Sequence, residues 1–266
     1  MIKKIFTQAH DSAEKSVEKS SSPDYKVMLI CITVAFSLTL INYLGNYKAA
    51  VSFLQSTGFT DLSIHFQNLM TLNRTAQLNR LAYWISIIMA FYVLLPTLVI
   101  KFILKEKLGD YGLKVRGAIK DYRIYLLMLC IMIPIIWFFS RTAGFQARYP
   151  FYEIRKGEPL YPGLFVWELL YLSQFFAVEF FFRGFMLHGT KRQFGFYSVF
   201  AMTIPYCMVH FGKPMPEALA AIVAGIVLGT FSLKSGSIWL GVAIHFSVAL
   251  TMDLCSLWQK GLLNLF

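Results

Sequence analysis

The feature that most constrains this chain is a series of long apolar stretches without a charged residue. Uncharged windows run over 27–47, 81–100, 124–140, 193–212, 218–233 and 235–252, and a seventh, 159–190, is interrupted only by Glu168, Glu179 and Arg183. A helix needs about 20 predominantly apolar residues to cross the hydrocarbon core of a bilayer, and only a helix or a closed barrel satisfies its backbone there. Composition agrees: 57% of the 266 residues are hydrophobic and 15% charged, against about 25% charged in soluble domains. A soluble globule is excluded. The expected fold class is all-α, a polytopic integral membrane protein with seven to eight transmembrane helices. The eighth would be Ala49 to Phe59, a short segment weakened by Ser56, Thr57 and Gly58.

The charges that remain are mostly basic and flank the windows. A net charge of +11 on so apolar a chain points to anionic lipid head groups rather than to nucleic acid. Met1 to Tyr25 is polar and Lys- and Ser-rich, and it lacks the apolar core and small-residue cleavage site of a signal peptide. Placing the N-terminus in the cytoplasm puts 15 basic residues inside, in the 1–26 tail, the 101–123 loop, the Lys191-Arg192 turn and Lys234, and leaves nine on the other face. The positive-inside rule therefore favours a cytoplasmic N-terminus in a plasma (inner) membrane. With two glycines and mixed charge, 101–123 reads as a short amphipathic interfacial helix. The chain divides into a polar cytoplasmic tail (1–26), N-terminal transmembrane helices with a basic loop (27–158), a motif-bearing set of helices (159–258) and a C-terminal tail (259–266). Cys31, Cys130, Cys207 and Cys255 lie in apolar stretches with no CxxC spacing, as small buried hydrophobes do.

Polar groups within the windows collect after residue 159. Glu179 and Arg183 are four apart in "FFAVEFFFRGF", so on a helix they share a face and pair. Such a pair is either a structural ion bridge or a carboxylate held at membrane depth for proton transfer. His210 closes its window in "PYCMVHFGKP" and His245 sits mid-window in "SIWLGVAIHFSVALTMD". With a rise of 1.5 Å per residue, Glu179 and His245 both lie about 12 Å from one membrane face, so they can meet; His210 joins them if its helix starts late, near Phe196 or Tyr197. Two His and a carboxylate can hold zinc, with His210 and His245 as its ligands, but the spacing is not the HExxH pattern. Water activated without metal is an equal alternative. Glu168 is three turns from Glu179, about 16 Å, too far for a dyad, and reads as an entrance or structural residue. Asp253 reads as an interfacial carboxylate. Glu217 suits the first turn of its helix, where Ala221, Gly225 and Gly229 form a small-xxx-small packing face.

"VEFFFRGF", "PYCMVHFGKP" and "GSIWLGVAIHFSVAL", in this order on successive spans, resemble the three motifs of the CAAX protease and bacteriocin-processing (CPBP, Abi-like) family of intramembrane proteases. That family's pattern is Glu-Glu-x-x-x-Arg, then an aromatic residue four before a His, then His-x-x-x-Asn or Asp. The resemblance covers about 160–255 and implies an all-helical membrane fold that cleaves prenylated or otherwise membrane-bound peptides. It matches Glu179 and Arg183 to the second Glu and the Arg, Tyr206 and His210 to the second motif, and His245 to the last His. Val178 stands in the place of the first Glu and Ala249 in that of the Asn.

The sequence thus supports a membrane protease in which Glu179 is general base, Arg183 fixes its orientation, and His210 and His245 polarise water or bind zinc. Its partners are membrane lipids and a membrane-bound peptide or protein substrate. The alternative is a non-catalytic scaffold or bacteriocin-immunity-type factor using the same residues structurally. A transporter with a Glu/His proton relay ranks third, because the chain lacks matching broken helices in two halves.

Overall fold

A computed structural model describes residues 2–15, 17, 24–115, 121–154 and 159–263. The architecture is helical throughout: among the described residues the only β pairing is an isolated antiparallel bridge between Leu113 and Ser237. Among the described residues six helices are long and apolar enough to cross a membrane: Tyr25–Leu44, Ala76–Ile103, Tyr122–Phe139, Gly163–Met208, Met215–Ser235 and Trp239–Gln259. The expected count was seven to eight. The windows 159–190 and 193–212 fall together in the 46-residue run Gly163–Met208, which at 1.5 Å per residue is about twice the thickness of a bilayer core. Gly195 breaks it, with φ +53°, and a short 3₁₀ turn, Gly195–Tyr197, precedes the next helix.

In chain order, α1 is Ile2–Glu14, α2 Tyr25–Leu44, α3 Tyr47–Ser56, α4 Thr60–Thr71 and α5 Ala76–Met89. α5 continues through π-helical Ala90–Leu94, α6 (Leu95–Leu98) and a second π stretch, Val99–Ile103. α7 is Tyr122–Phe139, α8 Ala143–Arg148 and α9 Gly163–Glu179, which runs through a seven-residue π stretch, Phe180–Met186, into α10, Leu187–Phe194. α11 is Ser198–Met208, α12 Met215–Ser235 and α13 Trp239–Gln259.

Two expectations change. The segment read as a polar tail carries α1, whose Ile5 packs with Leu228, Phe231 and Ile244. The described part of 101–123 is not an amphipathic helix: beyond Ile103 it turns at Lys105 (φ +55°), forms a 3₁₀ turn at Leu108–Tyr111 and reaches the bridge at Leu113. Gly112, at φ +85°, lets that strand-like piece lie against α13, where Ile238 N–H donates to its carbonyl at 2.9 Å. Residues 116–120 of this loop, the Ser20 to Pro23 tract and residues 264–266 of the C-terminal tail lie outside the described residues.

The core is aromatic and centred on the π stretch. Phe180, Phe181, Phe182 and Phe185 are fully buried, and Phe181 stacks on Tyr92, in the π-helical stretch after α5, at 4.1 Å. Lipid-facing surfaces read as exposed apolar side chains, among them Ile32 and Phe36 of α2 and Leu126 and Phe138 of α7; in water such patches would be a liability, and in a bilayer they are the solvent boundary. The basic segments gather at one end of the bundle. There Lys26 pairs with Glu106 at 2.7 Å, Arg192 with Asp24 at 3.6 Å and Lys234 with Asp121 at 3.2 Å.

Candidate active site within the bundle

Glu179 ends α9 and Arg183 lies within the following π stretch. Even with the helix widened there, the four-residue spacing holds: Arg183 Nη1 donates to Glu179 Oε1 at 3.0 Å, with both side chains sealed from solvent, at 0% and 1% exposure. π insertions recur at functional sites because they redirect side chains without ending the helix. Here the guanidinium is laid over the ring of Tyr206, 3.7 Å from its centroid, a cation–π contact strengthened by the absence of water. Among the described residues its Nε and Nη2 have no hydrogen-bond partner.

His245 completes the group from α13. Its Nδ1 lies 2.7 Å from Glu179 Oε1. A carboxylate only accepts, so Nδ1 carries the proton and Nε2 is left with a lone pair; Tyr206 O–H donates to it at 3.1 Å. Phe175 stacks on the imidazole at 5.3 Å. The result is a chain from Arg183 to Glu179 to His245 to Tyr206 that joins three helical segments, with only His245 retaining appreciable exposure, 16%.

A glycine admits the carboxylate. Gly241, one turn before His245, leaves room for it: a Cβ at that position would stand 2.4 Å from Glu179 Oε2. The π stretch packs equally closely at Gly184, where a Cβ would be 2.7 Å from the Tyr111 carbonyl.

His210 is placed differently. The late helix start holds, since α11 begins at Ser198. His210, however, follows the end of α11 and turns back on it, its Nδ1 within 2.9 Å of the Tyr206 carbonyl and its ring edge-on to the Tyr206 ring at 4.8 Å. It reaches the other groups only through Tyr206. For zinc this geometry is a poor fit. Both ring nitrogens of His245 are engaged, and among the described residues no group of three or more His, Cys, Asp or Glu is arranged to hold a metal.

Asp253 is not interfacial in the sense expected. It is fully buried, accepts from Trp167 Nε1 at 3.2 Å and lies near Glu168, and among the described residues its Oδ1 has no hydrogen-bond partner. Positions 241, 245, 249 and 253 of α13 follow one another at single-turn spacing, so the face bearing His245 also bears this second pair, with Ala249 between them. Glu217 lies in the first turn of α12 and holds Lys213 at 2.6 Å and Tyr149 O–H at 2.7 Å. Sequence reasoning gave no role to Gly241 or Phe175 and took Tyr206 only as a motif position. The available signals were a small residue one turn before His245 and an aromatic one turn before Glu179.

Residues 160–251 match the family described as type II CAAX prenyl endopeptidase Rce1-like. The match spans the helices that carry Glu179, Arg183, Tyr206, His210 and His245, in agreement with the resemblance carried by the three motifs. No curated protein and no solved structure matches the chain. Over residues 160–251 the chain is therefore similar to that family, and its apolar helices make it an integral membrane protein.

Proposed function

We propose that this chain is an intramembrane endopeptidase that cleaves membrane-bound or prenylated peptides, with water activated by the Glu179–His245 pair. The observation that carries the reading is the relay at 2.7 and 3.1 Å through Glu179, His245 and Tyr206, closed to solvent except at the imidazole. Glu179 fixes the tautomer and orientation of His245. Nε2 of His245 then takes a proton from a water that enters between it and Tyr206, and the water oxygen attacks the scissile carbonyl carbon. The same proton passes from Nε2 to the departing amine as the peptide C–N bond breaks. Tyr206 O–H, released from Nε2, donates to the developing oxyanion, and position 249, an Asn or Asp in the pattern the sequence resembles, is alanine here. Arg183 holds the carboxylate in place, and His210 steadies the Tyr206 backbone from behind. The N-terminus is read as cytoplasmic, because the basic segments share one end of the bundle.

A non-catalytic scaffold is the second reading, favoured by the apolar Val178 and Ala249 and by the depth at which the ion pair is buried. Cleavage of a fluorogenic membrane-anchored peptide in proteoliposomes separates the two. The protease reading expects hydrolysis by the wild type and its loss in His245→Ala with the protein still accumulating in membranes. Equal rates for wild type and His245→Ala would end that reading.

A further inference from the structure

At the basic end of the bundle a cavity of about 590 Å³ opens between the 105–114 loop, α2, α10 and the α12–α13 turn. Five lysines line it, Lys26, Lys105, Lys107, Lys114 and Lys191, against two carboxylates, Glu106 and Asp110. Both acids are already engaged. Glu106 takes both its oxygens to Lys26, at 2.7 and 2.8 Å, and also accepts from Tyr111 O–H at 2.5 Å, while Asp110 pairs with Lys114 at 3.1 Å. Among the described residues Lys105, Lys107 and Lys191 form no ion pair. Three ammonium groups without an ion pair among the described residues thus face one concave space.

The cavity is built, not merely lined. Lys105 occupies the left-handed region, φ +55°, a strained conformation for a non-glycine residue that recurs at ligand clamps. Lys191 is aimed by a buried relay. Ser232 O–H donates to the Arg183 carbonyl at 3.2 Å, so its oxygen accepts from His188 Nε2–H at 3.2 Å, which leaves His188 Nδ1 as a lone pair facing Lys191 Nζ at 3.4 Å. An imidazole in this tautomer positions the ammonium without neutralising it. Next to the lining residues Lys105 and Lys26 along the chain, Phe102, Ile103 and Tyr25 are exposed apolar side chains.

We propose that this cavity binds a phosphate group, held by Lys105, Lys107 and Lys191, with the source a glycerophospholipid head group or free phosphate. Lysines act on phosphate as point charges, basic pockets between membrane helices suit anionic head groups, and the exposed apolar side chains give acyl chains a surface to follow. The site lies apart from Glu179 and does not depend on peptidase activity.

Protein reconstituted in phosphatidylcholine nanodiscs is titrated with dioctanoyl phosphatidic acid in one arm and inorganic phosphate in the other, with lysine acylation footprinting as the readout. Saturable protection of Lys105, Lys107 and Lys191, with Lys48 unchanged, supports the site. Protection in the lipid arm alone assigns it to a head group, and protection by phosphate at the same concentrations assigns it to the free anion. Lys107→Gln combined with Lys191→Gln is expected to weaken binding at least tenfold, and Lys48→Gln combined with Lys101→Gln, with the same loss of charge, to leave it unchanged. Absence of saturable protection in both arms of the wild type, protection of Lys48 to an equal degree, or an unchanged affinity in the first double variant would overturn the proposal. The wild-type footprint decides the matter even if that variant does not fold.

Discussion

Glu179 Oε1 accepts from two donors, Arg183 and His245, so a change there acts on stability and on chemistry together. Glu179→Gln keeps the volume but leaves the Arg183 guanidinium buried without a counter-ion, which costs about 3–5 kcal/mol. Thermal unfolding in detergent is expected to show that loss. In peptide-cleavage assays the same variant should fall by about 10²–10⁴-fold, the span of a general base that has lost its orientation. Tyr206→Phe separates the two effects, because the ring remains beneath Arg183 and only the hydroxyl on His245 goes. Its stability should change by about 1 kcal/mol while cleavage drops, and hydrolysis at the wild-type rate would remove Tyr206 from the relay. Gly241→Ala tests the close approach of α13: a methyl 2.4 Å from Glu179 Oε2 must displace the carboxylate, at about 1–3 kcal/mol, with activity lost in proportion. These residues differ in how legible they were. The Glu179–Arg183 pair follows from helical spacing within one segment, whereas Gly241 is explained only by a carboxylate arriving from another helix.

Among the elements, the α11–α12 contact is the one the sequence specified most fully. Ala221, Gly225 and Gly229 recur every four residues, and the two glycines meet α11 so closely that a Cβ on either would lie 2.9 Å from Thr203 or Met202. Small residues permit this approach, and without a hydrophobic force between lipid-solvated helices packing is what holds them. Gly225→Leu is therefore expected to destabilise the fold by at least about 1–3 kcal/mol, read as a lower unfolding temperature in detergent. A neutral result would mean that the two helices separate without cost. The π stretch after Glu179 had no comparable signal: "FFFRGFM" contains no proline, and in the fold its Phe181, Phe182 and Phe185 are fully buried. The 101–123 loop was misread for a related reason. Mixed charge and two glycines suit an interfacial helix equally well, until Glu106 is taken by Lys26 from another element.

For the whole molecule, sidedness is the property most exposed to test. Lys26, Glu106, Arg192, Lys234 and Asp121 close one end of the bundle, and Lys48 lies on the opposite basic set. In a cysteine-free background, Lys107→Cys should resist a membrane-impermeant thiol reagent added to intact cells and react after permeabilisation, and Lys48→Cys should react directly. The reverse pattern would place the N-terminus outside. By itself the sequence determined the solvent, the helical class and the identity of the polar residues within the apolar runs, because each follows from local hydropathy and from spacing along a single helix. Only the tertiary structure decided which of those residues meet. It joined His245 to Glu179 and Tyr206, left His210 behind the tyrosine, brought Glu168 near Asp253 from separate helices, and gathered around one cavity three lysines that form no ion pair among the described residues. A charge buried in a bilayer must find its partner wherever packing supplies one, and that choice is made between helices, where spacing along the chain carries no information.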